Sequence, residues 1–357
     1  FRAVQTSADP LYNRAMDILL LDDSFAYDGY TPRHDPMGGP EKGLVYLADT
    51  LARCGHGVTV RNQCTQEVTL RGVNWRSLEN AGQDRADLVI ALRQPRLLDL
   101  APAGGKRVLW VTTPGETLTR GETAEAMARH GDAKLVFMSE AHRTTWAEDD
   151  ARALLIQPGV APAYLSLEPP AGYWPARAIV TSHPRAGMSW LLELWCNRIE
   201  PLIKGAELHI FSGMFARAAS GKRIDDDVTR IFRFAEAAAE QGVRIRRPLP
   251  DADMAEEFRR ARVHLYPGSE REIYAATLAE SQAAGCPGVT RRQGAAQERI
   301  RDSRSGFLTP DEEAFANCSI LCLKEDLVYR GRSKDARTMQ RDRSWDDAAA
   351  EFEALAR

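Results

Sequence analysis

The chain has 357 residues, of which 44% are hydrophobic and 27% charged, enough for about two domains with apolar cores. A net charge of −3 provides no basic field and argues against nucleic acid as the main partner. No apolar run approaches the ~18 residues that a membrane span needs.

Residues 1–16 are polar and weakly patterned and are expected to form an N-terminal extension. Met16–Leu21 is a short apolar run that predicts a buried strand. A loop rich in Gly, Pro and Asp follows over Tyr27–Pro40. Glu41–Arg53 carries Leu44, Leu47, Ala48 and Leu51 at helical spacing, and Gly55 suits a left-handed cap. Further strands are expected at Val58–Arg61, Leu88–Ala91, Val108–Val111, Leu135–Met138 and Leu154–Ile156. Gln157–Trp174, with its Pro and Gly residues, is expected to be a linker. The alternation then restarts. Strands are expected at Ala178–Thr181, Leu208–Phe211, Val243–Arg246, Val263–Tyr266 and Gly288–Thr290. Helices are expected at Met188–Ile199, Asp226–Gln241, Ala252–Ala261 and Ala276–Ala284, with a last one at Trp345–Leu355. Strands alternating with helices imply doubly wound parallel sheets. Two such halves joined by a Pro-rich linker leave a cleft for a ligand.

Three clusters carry chemistry. The first is Met37-Gly38-Gly39-Pro40-Glu41. Its glycines allow close backbone approach, and Pro40 suits the first helical position, so the unit forms a phosphate-facing helix N-terminus. It is not a dinucleotide fingerprint, and a nicotinamide cofactor has little support. The second is Ser182–Gly187, just after a strand, where Arg185 is placed to clamp a diphosphate with paired N–H bonds. The third is Glu272 and Glu280, eight residues apart, between strand Val263–Tyr266 and the turn Gly285–Gly288. A loop beyond a strand's carboxyl end, a helix N-terminus and carboxylates for sugar or ribose hydroxyls together point to a nucleotide-sugar site. No Asp-x-Asp metal motif stands in a cleft loop.

These residues resemble the family 4 glycosyltransferases of the GT-B fold, retaining enzymes that use a nucleotide-sugar donor. The resemblance runs over roughly residues 16–355. It includes the Gly38-Gly39 loop, the turn Gly55–Val60, Gln157–Val160, Ala206–Phe211 and, above all, the E-x7-E element Glu272–Glu280 followed by Ala-Gly-Cys-Pro. The resemblance implies two Rossmann-like domains facing across a cleft: an acceptor domain at 17–165, a donor domain at 166–325, and a segment at 326–357 packing back on the first. It implies that Glu280 binds the ribose, that Glu272 lies near the donor sugar, and that the amides of Ile273, Tyr274 and Ala275 face sugar and phosphate. Gly38 and Gly39 are then expected at the diphosphate, with Ser182 and Arg185 in the clamp. The base is expected near Arg247, Pro248 and Leu249, and the acceptor near Thr112 and Thr113. Three positions depart from the family pattern. Ser182 replaces an Arg, Ala275 replaces a Gly, and Thr112-Thr113 stand where a His is common.

The expected activity is therefore retaining, metal-independent transfer of a sugar to an acceptor hydroxyl. Glu272 and Arg185 are expected to be catalytic, the latter by countering the growing diphosphate charge. The nucleotide sugar is a co-substrate rather than a cofactor, with UDP favoured and GDP next. An epimerase of the same fold, or a non-catalytic nucleotide- or glycan-binding protein, stands as the alternative. Asp9, Pro10 and Asp17 interrupt any apolar leader, so a cytoplasmic location is expected, with a glycan, lipid-linked or small-molecule acceptor. Most of the six cysteines sit in apolar contexts, which predicts buried thiols.

Overall fold

Apolar runs of three to six residues become two parallel sheets in the computed structural model, which describes residues 15–165 and 175–357. The first sheet holds β1 (Asp17–Leu21), β2 (Gly57–Asn62), β3 (Val68–Leu70), β4 (Val73–Ser77), β5 (Leu88–Leu92), β6 (Lys106–Trp110), β7 (Lys134–Phe137) and β8 (Ala153–Leu155). The second holds β9 (Arg177–Val180), β10 (Glu207–Phe211), β11 (Val243–Arg246), β12 (Val263–Tyr266), β13 (Gly288–Arg291) and β14 (Gly306–Thr309). Their orders are β3-β4-β2-β1-β5-β6-β7-β8 and β11-β10-β9-β12-β13-β14. Every pairing is parallel except β3 with β4. In β1, Ile18 and Leu20 enter one core while Leu19 and Leu21 enter another. Both faces are thus covered, as a run without polar alternation requires.

In each sheet the chain reverses its direction of travel beside one strand. β1 lies between β2 and β5, and β9 lies between β10 and β12. Crevices open beyond the carboxyl ends of strands at such switch points. The cleft between the domains is built there.

The structure departs from the sequence expectation in three places. A hairpin joins β3 to β4 through Arg71 and Gly72, both at positive φ (53° and 82°). That is the geometry of a tight primed turn, but Arg hides its signal. The helix expected over Met188–Ile199 is α-helical only to Leu194 and then widens into a π turn over Trp195–Ile199. Strand β14 and the helices Glu312–Lys324 and Asp326–Arg341 were not foreseen.

The second of these helices packs on helix Ala276–Ala283 and on Glu312–Lys324, so it remains with the second domain. The crossing back begins only at Asp342. Helix Trp345–Ala354 then buries Trp345, Ala348, Ala349 and Phe352 in the first domain's core. Ser344 and Asp347 cap it reciprocally. At the crossing, Arg343 Nε donates to the Gln157 carbonyl at 2.7 Å. A Cβ on Gly159 would collide with the Ser344–Trp345 backbone, so only glycine lets the crossing lie this close. Residues 1–14 of the expected extension and 166–174 of the expected linker lie outside the described residues. All six cysteines are free, but only Cys286 and Cys322 are buried, and Cys54 is exposed. Local apolar sequence overstated thiol burial because it does not show which helix end faces water.

Candidate active site

Helix Gly39–Arg53 begins at Gly38, which has extended backbone (φ −64°, ψ 152°), and carries Pro40 in its first turn. Helix Ala276–Ala283 begins at Ala275. The two N-termini meet across the domain boundary, since a Cβ placed on Gly39 would stand 3.6 Å from the Ala276 methyl. Free N–H groups and two positive dipole ends converge there, an arrangement that favours an anion.

Ala275 holds φ 55° and ψ 52°. This is the left-handed region that costs an L-residue roughly 1–2 kcal/mol. The loop before it is tied from all sides. Glu272 accepts from Tyr266 Oη at 2.7 Å and from the Ala275 and Tyr274 amides at 3.0 and 3.4 Å. Ser139 of the first domain donates to the Ile273 carbonyl at 2.6 Å. Arg299 Nε donates to the Tyr274 carbonyl at 2.9 Å, and its guanidinium lies 4.2 Å from the Tyr274 ring centre. Tyr274 Oη donates to the Pro158 carbonyl at 2.9 Å. The expectation that the Tyr274 and Ala275 amides face sugar and phosphate is corrected here. The loop's own carboxylate takes them, because a turn of four residues brings Glu272 back over them.

Glu280 is buried, and Lys42 of the first domain stands 2.6 Å from it and 2.8 Å from Asp251. Tyr46 and Tyr164 donate to the Asp251 carboxylate at 2.5 and 2.9 Å. Burial alone pushes the Lys42 ammonium down, but the Glu280 and Asp251 charges outweigh it and hold the lysine cationic. Burial likewise keeps both phenols protonated, so they remain donors.

On one side of this cluster opens a cavity of about 500 Å³ that reaches Ser182, His183, Pro248, Leu249, Thr277 and Glu280. Ser182 Oγ is buried there without a hydrogen-bond partner among the described residues. Lys42 and Arg217 supply cations to its walls. On the other side lies a more apolar cavity of about 270 Å³ that Glu272, Ile273, Tyr274, Ala275, Gly39 and Thr112 reach.

The structure thus brings together Gly39, Ser182, Pro248, Leu249, Glu272–Ala275 and Glu280, with Thr112 at the far wall. Gly38 lies one residue behind, packed on the Glu41 carboxylate. Arg185 is not brought in. It lines neither cavity, more than half of its side chain is exposed, and it pairs with Asp225 at 2.6 Å. The reason is tertiary: the Asp225 carboxylate, which caps helix Asp226–Ala237, lies against the turn that carries Arg185 and takes its guanidinium. Arg247 is exposed and outside both cavities. Thr113 turns away, its carbonyl accepting from the buried His142 at 2.7 Å. Burial holds that imidazole neutral. Thr112 Oγ1 accepts from Arg93 at 3.2 Å, and Arg93, itself at φ 68°, pairs with Glu41. Sequence reasoning missed Lys42, Asp251, Arg93 and Arg299. The lysine within the amphipathic helix Glu41–Arg53 was the one faint signal available in the sequence. Among the described residues no three His, Cys, Asp or Glu side chains are grouped to hold a metal ion. No helix among them is long and apolar enough to cross a membrane.

Solved structures share this architecture end to end. Sucrose-phosphate synthase from Thermosynechococcus elongatus superposes with a TM-score of 0.72 at 15% identity, covering 96% of this chain and 98% of that one. HepE of Anabaena, solved in complex with UDP-glucose, gives 0.70 at 14% identity, with 95% and 98% covered. A glycosyltransferase from Rickettsia africae gives 0.67 at 14% identity, with 97% and 98% covered. Residues 178–325 match the family model described as glycosyl transferases group 1. The fold is GT-B. The family match covers the second domain, which carries Ser182, Glu272 and Glu280. No curated protein sequence matches this chain.

Proposed function

We propose that the protein moves a sugar from a nucleotide-diphosphate sugar to an acceptor hydroxyl, with retention and without a metal ion. The observation that carries this reading is the meeting of the Gly39 and Ala276 helix N-termini beside Glu280, at the switch point of the second sheet. In this reading Pro248 and Leu249 flank the base, Glu280 takes the ribose hydroxyls, and Ser182 with Thr277 borders the diphosphate. The two helix ends, Lys42 and Arg217 counter the charge that grows as the anomeric C–O bond breaks, which lowers the barrier. Arg217 and Lys42 take the role first expected of Arg185.

Within a retaining course, two features favour same-face attack over a covalent glycosyl–enzyme. Glu272 is committed to its own loop and Glu280 to Lys42, so neither carboxylate is poised as a nucleophile. The acceptor hydroxyl then passes its proton to the departing diphosphate. A UDP-sugar is favoured as donor, because HepE, of the same fold, is solved with UDP-glucose.

Calorimetry and thermal shift with UDP, GDP, TDP, ADP and their sugar conjugates test the reading. One nucleotide is expected to stabilise the protein. Glu280→Gln is expected to weaken it by about 1.5–3 kcal/mol, the range for hydrogen bonds to a charged group. Binding of none of the panel would overturn the donor assignment.

A further inference from the structure

Four side chains form one hydrogen-bonded line behind the larger cavity. Thr181 directly follows β9, the strand at the switch point, and Thr277 is the second residue of helix Ala276–Ala283. Both are partly exposed and both line the cavity. Their hydroxyls meet there, Thr181 Oγ1 donating to Thr277 Oγ1 at 2.8 Å. Thr181 Oγ1 also lies 3.0 Å from His264 Nε2, and His264 Nδ1 lies 2.8 Å from Ser281 Oγ. His264 stands in β12 beside Ile179 of β9 and is fully buried. Ser281 lies one turn along the same helix from Thr277. The line thus runs from the core of the second domain to the cavity wall.

The direction of this line follows from counting protons. Phe258 and Tyr266 pack on the His264 ring with centres 5.4 and 5.5 Å apart, and no carboxylate among the described residues pairs with it. Burial without a counter-charge keeps the imidazole neutral, and a neutral imidazole donates from one nitrogen only. A threonine hydroxyl has one proton. Thr181 gives its proton to Thr277, so His264 Nε2–H donates to Thr181 and Nδ1 accepts from Ser281. The Leu278 carbonyl, 3.0 Å from Ser281 Oγ, is not left bare by this, because Gln282 Nε2 lies 3.3 Å from it. Every proton in the line then points toward the cavity. The last is the Thr277 proton, for which no acceptor stands among the described residues.

We propose that His264 is a positioning residue for the donor: acting through Thr181, it fixes the Thr277 hydroxyl as a hydrogen-bond donor to a diphosphate oxygen. The proposal rests on the donor reading above and deepens it. Thr277 lies in the first turn of its helix, so its own backbone N–H also lacks an intrahelical partner. Amide and hydroxyl therefore present two donors at one helix end, where an anion is favoured. Neither is a formal cation. Such a grip suits a chain whose Arg185 is turned away to Asp225. The histidine never touches the donor; it decides which way the two threonine hydroxyls point.

The test is calorimetric titration with UDP and GDP, and with uridine and guanosine as phosphate-free controls. Thr277→Val, which keeps the shape and removes the hydroxyl, is expected to weaken the diphosphate that binds about ten- to a hundredfold, as for a lost hydrogen bond to a charged group. Its nucleoside is expected to bind as in wild type. Thr277→Ser keeps the hydroxyl and is expected to restore the affinity. Thr181→Val breaks the line without touching the core and is expected to weaken the diphosphate about two- to tenfold. That loss is expected to vanish in the Thr277→Val background, since two residues acting through one hydroxyl are not additive. His264→Leu is expected to behave as Thr181→Val does, and where it fails to fold, Thr181→Val reads the same link. Wild-type diphosphate affinity in Thr277→Val, an equal loss for the nucleoside, or a Thr181→Val loss that persists beside Thr277→Val would overturn the proposal. Diphosphate binding with unchanged variants sinks the relay alone. Binding of neither diphosphate by the wild type sinks the donor reading, and the relay falls with it.

Discussion

Lys42 Nζ stands 2.6 Å from Glu280 Oε1, and neither side chain is more than 12% exposed. The pair joins the first turn of a first-domain helix to the centre of helix Ala276–Ala283, and Asp251 at 2.8 Å completes it. Removing one partner from a buried ion pair leaves an uncompensated charge and costs about 3–5 kcal/mol. Lys42→Met is expected to lose that much in urea unfolding, and Lys42→Met with Glu280→Gln to recover part of it. A single variant that unfolds at the wild-type urea concentration would show that the pair does not hold the domains.

Ala275 begins helix Ala276–Ala283 at φ 55°. Glycine there releases the left-handed cost of roughly 1–2 kcal/mol and loses one buried methyl, about 0.8 kcal/mol. Ala275→Gly is expected to hold or raise stability by up to about 1 kcal/mol by that difference. Ala275→Val, β-branched at positive φ, is expected to fall well below wild type. Equal losses in both variants would mean that the torsion is not what constrains this position.

Arg185 faces solvent and pairs with Asp225. Exposed pairs of this kind contribute little. Arg185→Ala is therefore expected to leave UDP affinity within about twofold, the near-zero end for an exposed pair, whereas Arg217→Ala is expected to weaken it. A large loss of nucleotide binding in Arg185→Ala would return that residue to the clamp.

His264 is fully buried between Thr181 Oγ1 at 3.0 Å and Ser281 Oγ at 2.8 Å. Burial pushes its imidazole down to about 3, and burial pushes His209 down to about 4. Above pH ~6.5, the ordinary histidine value, both states are neutral and neither residue makes stability depend on pH. Below it the unfolded chain binds protons that the folded chain refuses, so stability is lost as the pH falls toward 4. Removing one such group is expected to cut the slope of unfolding free energy against pH by about 1.4 kcal/mol per unit between pH 5.5 and 4. His264→Gln measured against wild type reads this directly. An unchanged slope would mean that His264 is protonated in the fold.

Much of the fold was legible because it is written locally. Val243–Arg246, which alternates apolar and charged residues, and Val263–Tyr266, which is mostly apolar, are strands to the residue, since such short β-patterned runs bounded by helix signals have few other uses. Gly38-Gly39-Pro40 and Glu272–Glu280 marked two helix N-termini on the same short-range grounds. The β3–β4 hairpin was hidden because its turn uses an arginine where glycine or asparagine is usual.

The sequence by itself determined two parallel α/β halves, the order of their strands along the chain, and which carboxylates and helix ends stand near the cleft. Only the tertiary structure decided how those groups are used. Lys42 meets Asp251 across 209 positions of sequence, and Trp110 meets Trp345 only because the chain crosses back. Arg185 was turned outward by a helix cap forty residues further on. Propensity and spacing act over a few residues, whereas the partner of a buried charge such as Lys42 is set by domain closure, which no local pattern encodes.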